Sequence, residues 1–181
     1  MAAIPTISAK YLAQQQELHR DPNYGLASLG FAPIVRELMA RYGVRSLGDY
    51  GAGKQNLLRG LNELGVTGFD YFPYDPAFPA YGEPKPADLV CCIDVLEHIE
   101  PAFLDAVLDD LRGITVKRGF FSVHSNPAMK FLDDGRNAHL IQQPTSWWLL
   151  RLCQHFEINH LETVANGFWV LAEPKRTAAT E

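Results

Sequence analysis

The sequence has few cysteines and no long apolar run, and both absences narrow the class of protein. Its 181 residues include three cysteines, Cys91, Cys92 and Cys153, and no Cys-x-x-Cys pair. A disulfide between two adjacent cysteines is geometrically awkward. We therefore predict buried, reduced thiols in a cytoplasmic protein. The N-terminus lacks a signal-peptide pattern, and no apolar stretch approaches the roughly 20 residues that span a bilayer.

Runs of basic residues are also absent. The chain carries 16 Lys and Arg against 21 Asp and Glu, which gives a formal net charge of −5. Proteins that hold nucleic acid through its phosphates need clustered positive charge. The composition therefore disfavours nucleic acid as the main partner, although a local basic groove stays open, and it leaves the oligomeric state undetermined.

Apolar strands and amphipathic helices alternate along the chain. The helices are predicted at 9–20, 31–42, 56–64, 101–111 and 146–154. The strands are predicted at 45–50, 66–74, 87–93, 119–124, 156–164 and 168–172. This order predicts one α/β domain with a mostly parallel sheet and an antiparallel strand from the C-terminal hairpin.

Acidic residues stand where three of the predicted strands end. Asp49 comes before Gly51 and Gly53, Asp75 ends the second strand, and Asp94 ends the third. The carboxyl ends of parallel strands meet at one edge of a sheet, where ligands bind. Glycines let the backbone approach a ligand, and the helix after them points free N–H groups towards it. The pattern predicts a nucleotide site at this edge.

These segments resemble the motifs of class I S-adenosylmethionine (SAM)-dependent methyltransferases. Asp49-Tyr-Gly-Ala-Gly53 resembles their Asp-x-Gly-x-Gly motif. Tyr74-Asp75-Pro-Ala resembles the acid ending their second strand, and the segment from Asp88 to Ile99, with Asp-Val-Leu-Glu-His inside it, resembles their fourth-strand motif. The resemblance covers roughly residues 45–172. It implies a helical cap at 1–44, a SAM-binding Rossmann-like domain at 45–173 and a flexible tail at 174–181.

The resemblance also implies roles for the acids. Asp75 would accept hydrogen bonds from both ribose hydroxyls, and Asp70 competes with it for this role. Asp49 would lie under the glycine turn near the ammonium of SAM. The implied cofactor-binding residues are Asp49, Gly51, Gly53, Asp75, Ile93 and Asp94. Each has a plainer alternative, since the glycines and Asp75 also suit ordinary turns and Asp94 suits a helix N-cap.

Two features depart from the family pattern. Gln55 stands where a third glycine is often found. Only a proline-rich connector, 77–86, separates Asp75 from Asp88, where the family has a helix and a third strand. We therefore predict that one β-α unit is missing, so that the sheet is trimmed at that edge and the adenine pocket is more open.

Asp94, Glu97 and His98 share one face if they form a helical turn. Two carboxylates and an imidazole can hold a divalent cation such as Mg²⁺. A similar acid-x-x-Glu-His arrangement is a metal site in some ubiquinone-pathway O-methyltransferases and in small-RNA 2′-O-methyltransferases, where a later histidine completes it. His139 is the predicted later ligand and His124 its rival. The alternative is that the Glu-His pair only lines the pocket.

Further residues are candidates for catalysis and acceptor binding. Without a metal, His98, His124 or His139 is the predicted general base. The predicted substrate residues are Tyr24, Arg136 and Trp147, with core packing as the alternative for the aromatic pair and pairing with Asp133 or Asp134 as the alternative for Arg136. The remaining histidines, His19, His155 and His160, are predicted to be surface or strand-end residues.

The predicted function is a SAM-dependent methyltransferase (EC 2.1.1). The resemblance implies methyl transfer to an oxygen or nitrogen of a small-molecule, sugar or lipid-type acceptor. The Asn/Asp-Pro-Pro-aromatic and Pro-Cys motifs of DNA methyltransferases are missing. One alternative is metal-assisted 2′-O or base methylation of nucleic acid. Another is a protein that binds SAM or a nucleotide without transfer, or a partner-dependent subunit.

Overall fold

One sheet with helices on both faces forms the structure, a computed structural model that describes residues 5–175. The helices are α1 (Ala9–Leu18), α2 (Ala27–Tyr42), α3 (Asn56–Glu63), α4 (Leu104–Ile114) and α5 (Thr145–His155). The strands are β1 (Ser46–Tyr50), β2 (Asp70–Tyr74), β3 (Ala87–Ile93), β4 (Thr115–His124), β5 (Phe156–Val164) and β6 (Gly167–Pro174). Within these residues, no helix is both long and apolar enough to cross a membrane.

The strand order across the sheet is β2-β1-β3-β4-β6-β5. The pairs β2–β1, β1–β3 and β3–β4 are parallel, whereas β6 is antiparallel to both β4 and β5. The prediction of a mostly parallel α/β sheet with an antiparallel C-terminal strand is confirmed. The chain leaves β1 for β2 on one side and later returns to β3 on the other, so the strand order switches at β1.

The continuous apolar run of β3 is covered on both faces. Val90 and Cys92 pack in a core cluster with α4 and α5, while Leu89 and Cys91 pack in a second cluster with α2 and α3. This alternation follows from the two-residue period of a strand. Cys91 and Cys92 are buried free thiols as predicted, but Cys153 is exposed, because it lies on the outer face of α5.

The connector between β2 and β3 contains only a short 3₁₀ turn, Pro79–Tyr81, in the described chain. As a result β2 is the edge strand, and Pro73 within it is tolerated there because an edge strand needs fewer backbone donors. The trimmed sheet is therefore confirmed. At the other end, Pro174 still pairs with Phe156, and the rest of the predicted tail, 176–181, lies outside the described residues.

The two N-terminal helices have different environments. α2 packs on the sheet through residues such as Val35 and Leu38, and it ends at Gly43, whose left-handed φ of 57° caps the helix. α1 instead packs on the 125–144 loop, where Tyr11 meets Leu132 and Ala138. It thereby covers the carboxyl edge of the sheet.

The contact between α2 and α3 depends on a glycine. A Cβ added to Gly60 would lie 2.7 Å from the Cβ of Ala32, whereas one added to Gly30 would meet nothing within 4 Å. We expect Gly60→Ala to lower the free energy of unfolding by about 1–3 kcal/mol through overpacking. Gly30→Ala, the matched control in α2, should raise it by about 0.4–1 kcal/mol. Urea unfolding of both variants measures this, and equal effects would contradict the close approach.

Candidate functional site

A cleft opens at the carboxyl edge of the sheet, above the ends of β1, β2 and β3. It contains about 960 Å³ of space outside the protein atoms, a figure that includes open solvent at its mouth. One face of α1, from Tyr11 to the C-cap residue His19, and the Tyr24–Ser28 segment form its opposite wall. The predicted site residues that line it are Tyr24, Gly51, Gly53, Asp75, Ile93, Asp94 and His98.

The glycine turn after β1 forms the floor of the cleft. Gly51 and Gly53 have positive φ values of 80° and 47°, and a Cβ on Gly51 would overlap the side chain of Val95. Gln55, in place of a third glycine, adopts a left-handed φ of 57°. That conformation costs a non-glycine residue roughly 1–2 kcal/mol. The missing glycine therefore leaves the turn formed and the backbone N–H groups close to the cleft.

Asp75 at the end of β2 is held by backbone donors. Its Oδ2 accepts a hydrogen bond from the Gly53 amide at 2.9 Å, and its Oδ1 accepts one from the Ala77 amide at 2.8 Å. Burial raises the pKa of Asp75, and these amides oppose the rise. Each carboxylate oxygen keeps a further lone pair, so the side chain can still accept hydrogen bonds from a ligand. Asp70 begins β2 and lies at the opposite edge of the sheet.

Asp49 lies beneath the glycine turn and does not line the cleft. It is 4% exposed, and the Tyr71 hydroxyl donates a hydrogen bond to its Oδ2 at 2.5 Å. Burial raises the pKa of Asp49 to about 7, and this hydrogen bond limits the rise. A cation placed above the turn would favour its ionised form.

The raised pKa of Asp49 predicts how stability depends on pH. Between the ordinary pKa of 3.8 and about 7, the folded protein keeps a proton that the unfolded chain releases, so wild-type stability falls as pH rises. Asp49→Asn cannot ionise and lacks this loss. We expect its free energy of unfolding, relative to wild type, to rise by about 1–4 kcal/mol between pH 4 and pH 7.5.

Urea unfolding across this pH range measures the difference. Asp70→Asn is the control, because Asp70 is an exposed carboxylate on the next strand. It should follow the wild-type curve, whereas parallel curves for wild type and Asp49→Asn would refute the burial of an ionisable Asp49.

Beyond β3 the chain brings two acids and a histidine together. Asp94 turns the chain with a left-handed φ of 57°, and a 3₁₀ turn, Leu96–His98, follows. Asp94, Glu97 and His139 each offer a ligand atom, and these atoms lie within 4.8 Å of one another. Val95, rather than Asp94, occupies the N-cap position of this 3₁₀ turn, so the alternative of Asp94 as its N-cap is wrong.

Glu97 is the most deeply buried acid of this cluster. It is 0% exposed, and its Oε1 accepts a hydrogen bond from the His124 amide at 2.6 Å. Its Oε2 is buried and has no hydrogen-bond partner among residues 5–175. Burial, and then the nearby charge of Asp94, raise the pKa of Glu97 well above its usual range. An isolated buried carboxylate is costly, so this oxygen requires either a proton or a cation.

Backbone carbonyls fix the tautomers of two histidines beside this cluster. His98 Nδ1 lies 2.9 Å from the Ala138 carbonyl oxygen, and His139 Nδ1 lies 2.6 Å from the Asn126 carbonyl oxygen. A carbonyl only accepts, so both Nδ1 atoms carry the proton and both Nε2 atoms present a lone pair. Burial lowers the pKa of His98 to about 4 and also lowers that of His139, so both rings are neutral near pH 7.

The other predicted residues lie outside the cleft. Arg136 pairs with Asp134 in its own turn, which was the predicted alternative to a role in substrate binding. Trp147 packs beside Arg151 over a separate depression near α4 and α5. His124 lies at the end of β4 with its ring centroid 4.9 Å from that of His139.

Three cleft residues on α1 were missed from the sequence. Tyr11, Gln15 and His19 line the cleft, and the prediction of a surface position for His19 is wrong, because its side chain is 13% exposed. They are spaced i, i+4 and i+8, and so share one helix face. That spacing was visible in the sequence. A polar helix face that lines a cleft, however, has the same sequence pattern as one that faces solvent.

Comparison with known proteins adds to this geometry. No family model matches the chain, and no curated protein matches its sequence. Solved structures do match: Burkholderia thailandensis 1,6-didemethyltoxoflavin-N1-methyltransferase, with bound 1,6-didemethyltoxoflavin and S-adenosylhomocysteine, is 16% identical. The match covers 97% of this chain and 94% of that one, with a TM-score of 0.63.

Two further solved structures also match this chain. DhpI in its SAH complex is 14% identical, with 93% of this chain and 98% of that chain covered and a TM-score of 0.61. The PH0226 protein from Pyrococcus horikoshii OT3 is 16% identical, with 86% and 94% covered and a TM-score of 0.59. The chain shares its fold with these structures, two of which are described with S-adenosylhomocysteine bound, as the resemblance implied.

Proposed function

We propose that this protein is a SAM-dependent methyltransferase that acts on an oxygen or nitrogen of a small-molecule acceptor. The observation that carries the proposal is the cleft at the switch in strand order, where a glycine turn and Asp75 face the same space. Bound SAM supplies a methyl group made electrophilic by its sulfonium. The structural neighbour that binds 1,6-didemethyltoxoflavin supports a small-molecule acceptor, and sugar or lipid-type acceptors belong to the same proposal.

The residues present fit this cofactor. The positive φ values of Gly51 and Gly53 hold the turn against the cleft, and the free lone pairs of Asp75 suit the ribose hydroxyls. Asp49 lies below the turn, where its carboxylate would attract the ammonium group. Ile93 and Asp94 form the wall at the end of β3.

We assign the general base to His98. It lines the cleft, and its Nδ1 is engaged by the Ala138 carbonyl, so its Nε2 lone pair is available to an acceptor. His139 and His124 lie behind it, and the ring centroids of His98 and His139 are 4.7 Å apart. His98 would take the proton of an acceptor hydroxyl or amine, and Tyr24 beside it would help to position the acceptor.

Calorimetry with SAM and S-adenosylhomocysteine tests the proposal. We expect both ligands to bind the wild type, and Asp75→Asn to weaken each by about tenfold to a hundredfold through lost hydrogen bonds. Asp70→Asn, at the opposite end of β2, should leave both affinities unchanged. Labelled SAM with a panel of hydroxyl- and amine-bearing acceptors then tests transfer. Failure of the wild type to bind either ligand would refute the proposal.

We further propose a divalent cation such as Mg²⁺ as a second cofactor, held by Asp94, Glu97 and His139. Their clustered ligand atoms and the buried, unbonded Oε2 of Glu97 in the described chain support it. His98, the fourth predicted ligand, lies alongside with its Nε2 free. A cation here would lower the pKa of an acceptor hydroxyl. Metal-assisted methylation of nucleic acid and a cytoplasmic location stay predictions from the sequence.

Mn²⁺ is a paramagnetic probe of this cation site. We expect electron paramagnetic resonance to show one bound Mn²⁺ per wild-type chain, and thermal unfolding to shift upwards when Mn²⁺ is added. Glu97→Gln should weaken binding by more than about tenfold, because it removes a charged ligand. His155→Ala, remote on α5, is the control. A folded wild type that binds no Mn²⁺ would leave Glu97 protonated and end the cation proposal.

A further inference from the structure

His19 brings an imidazole from the end of α1 to the carboxylate of Asp75. Its Nε2 lies 3.9 Å from Asp75 Oδ2, and the two side chains are 13% and 10% exposed. Tyr24 and Phe78 hold the ring edge-on from two sides, with ring centroids 5.0 and 4.9 Å away. The separation of Nε2 and Oδ2 exceeds a hydrogen bond, so the two polar groups face each other across a gap.

The gap matches the size of one hydroxyl group. An oxygen placed about 2.8 Å from each of these two atoms subtends an angle of roughly 90° between them, which suits a hydroxyl with one donor and two lone pairs. Burial lowers the pKa of His19, so its ring is neutral, with one N–H donor and one lone pair. His19 Nδ1 is itself buried and has no hydrogen-bond partner within residues 5–175.

The Asp75 carboxylate cannot turn away from this gap without loss. Its two oxygens are fixed by the amides of Gly53 and Ala77, which belong to the turns after β1 and β2. His19 lies against the glycine turn, since a Cβ on Gly53 would lie 3.0 Å from its Cε1. The gap is therefore bounded by three separate segments of the chain.

We propose that His19 and Asp75 bind one ribose hydroxyl of the adenosyl group between them, so that α1 supplies part of cofactor recognition. The hydroxyl donates to the carboxylate and accepts from the imidazole N–H. The inference rests on the proposed function, because it requires an adenosyl ligand beside Asp75. A ligand that lacks this hydroxyl should bind more weakly, because the buried Asp75 carboxylate and His19 imidazole would then each lose a hydrogen-bond partner.

Binding of ribose-modified ligands tests this assignment. Calorimetry would compare S-adenosylhomocysteine with its 2′-deoxy and 3′-deoxy analogues on wild type, His19→Phe and His19→Gln. We expect wild type to bind one of the analogues at least about tenfold more weakly than the parent ligand. His19→Phe keeps the ring but loses the donor, so the parent ligand should weaken and the preference should shrink to the part that Asp75 supplies. His19→Gln retains an N–H donor and should recover part of it.

The controls separate this inference from the proposed function. His160→Ala removes an exposed histidine of β5, whose side chain is 53% exposed, and should change none of the affinities. If His19→Phe does not fold, His19→Leu carries the same comparison. Wild type that binds S-adenosylhomocysteine while His19→Phe, or His19→Leu in its place, keeps the full preference would overturn the role of His19 alone. Wild type that binds none of the ligands would instead refute the proposed function.

Discussion

Parallel pairing of β1 with both β2 and β3 is the constraint on which the site depends. The ladder sets Tyr50 opposite Tyr74 and Asp49 opposite Cys91, so three strands end at one edge. Because β2 and β3 lie on opposite sides of β1, the segments that follow them diverge and leave a cleft above β1. This pairing alone brings the acids at the strand ends to one edge of the sheet. The helix α1 then covers the cleft and encloses it.

Polar groups that are costly to bury gather around this cleft. Burial raises the pKa of Asp49, Asp75 and Glu97, and each is held by a donor that partly compensates. Among the described residues other than glycine, Gln55 and Asp94 have a positive φ. Gln55 ends the glycine turn that follows β1, and Asp94 directly follows β3. Backbone strain and buried charge concentrated in one place are typical of sites that have been shaped for a ligand.

The sequence predicted the framework well and the walls of the site poorly. The apolar run at 87–93 forms β3 with the predicted limits. A strand that is covered on both faces has a nearly continuous apolar sequence, so it can be recognised without knowing what packs against it. The proline-rich connector correctly indicated the missing β-α unit. Arg136 and Trp147, in contrast, lie outside the cleft. Each finds a partner close by in the sequence, Asp134 for Arg136 and Arg151 for Trp147, so the residue type alone did not show whether it reaches the site.

The sequence by itself determined the order of strands and helices, the glycine turn and the acids at three strand ends, because each depends on local periodicity or on a short motif. Only the tertiary structure decided that α1 covers the cleft, that His19 faces Asp75, and that Glu97 is fully buried beside His139. These contacts join residues distant along the chain, and helical spacing shows which side chains share a face but not what that face meets.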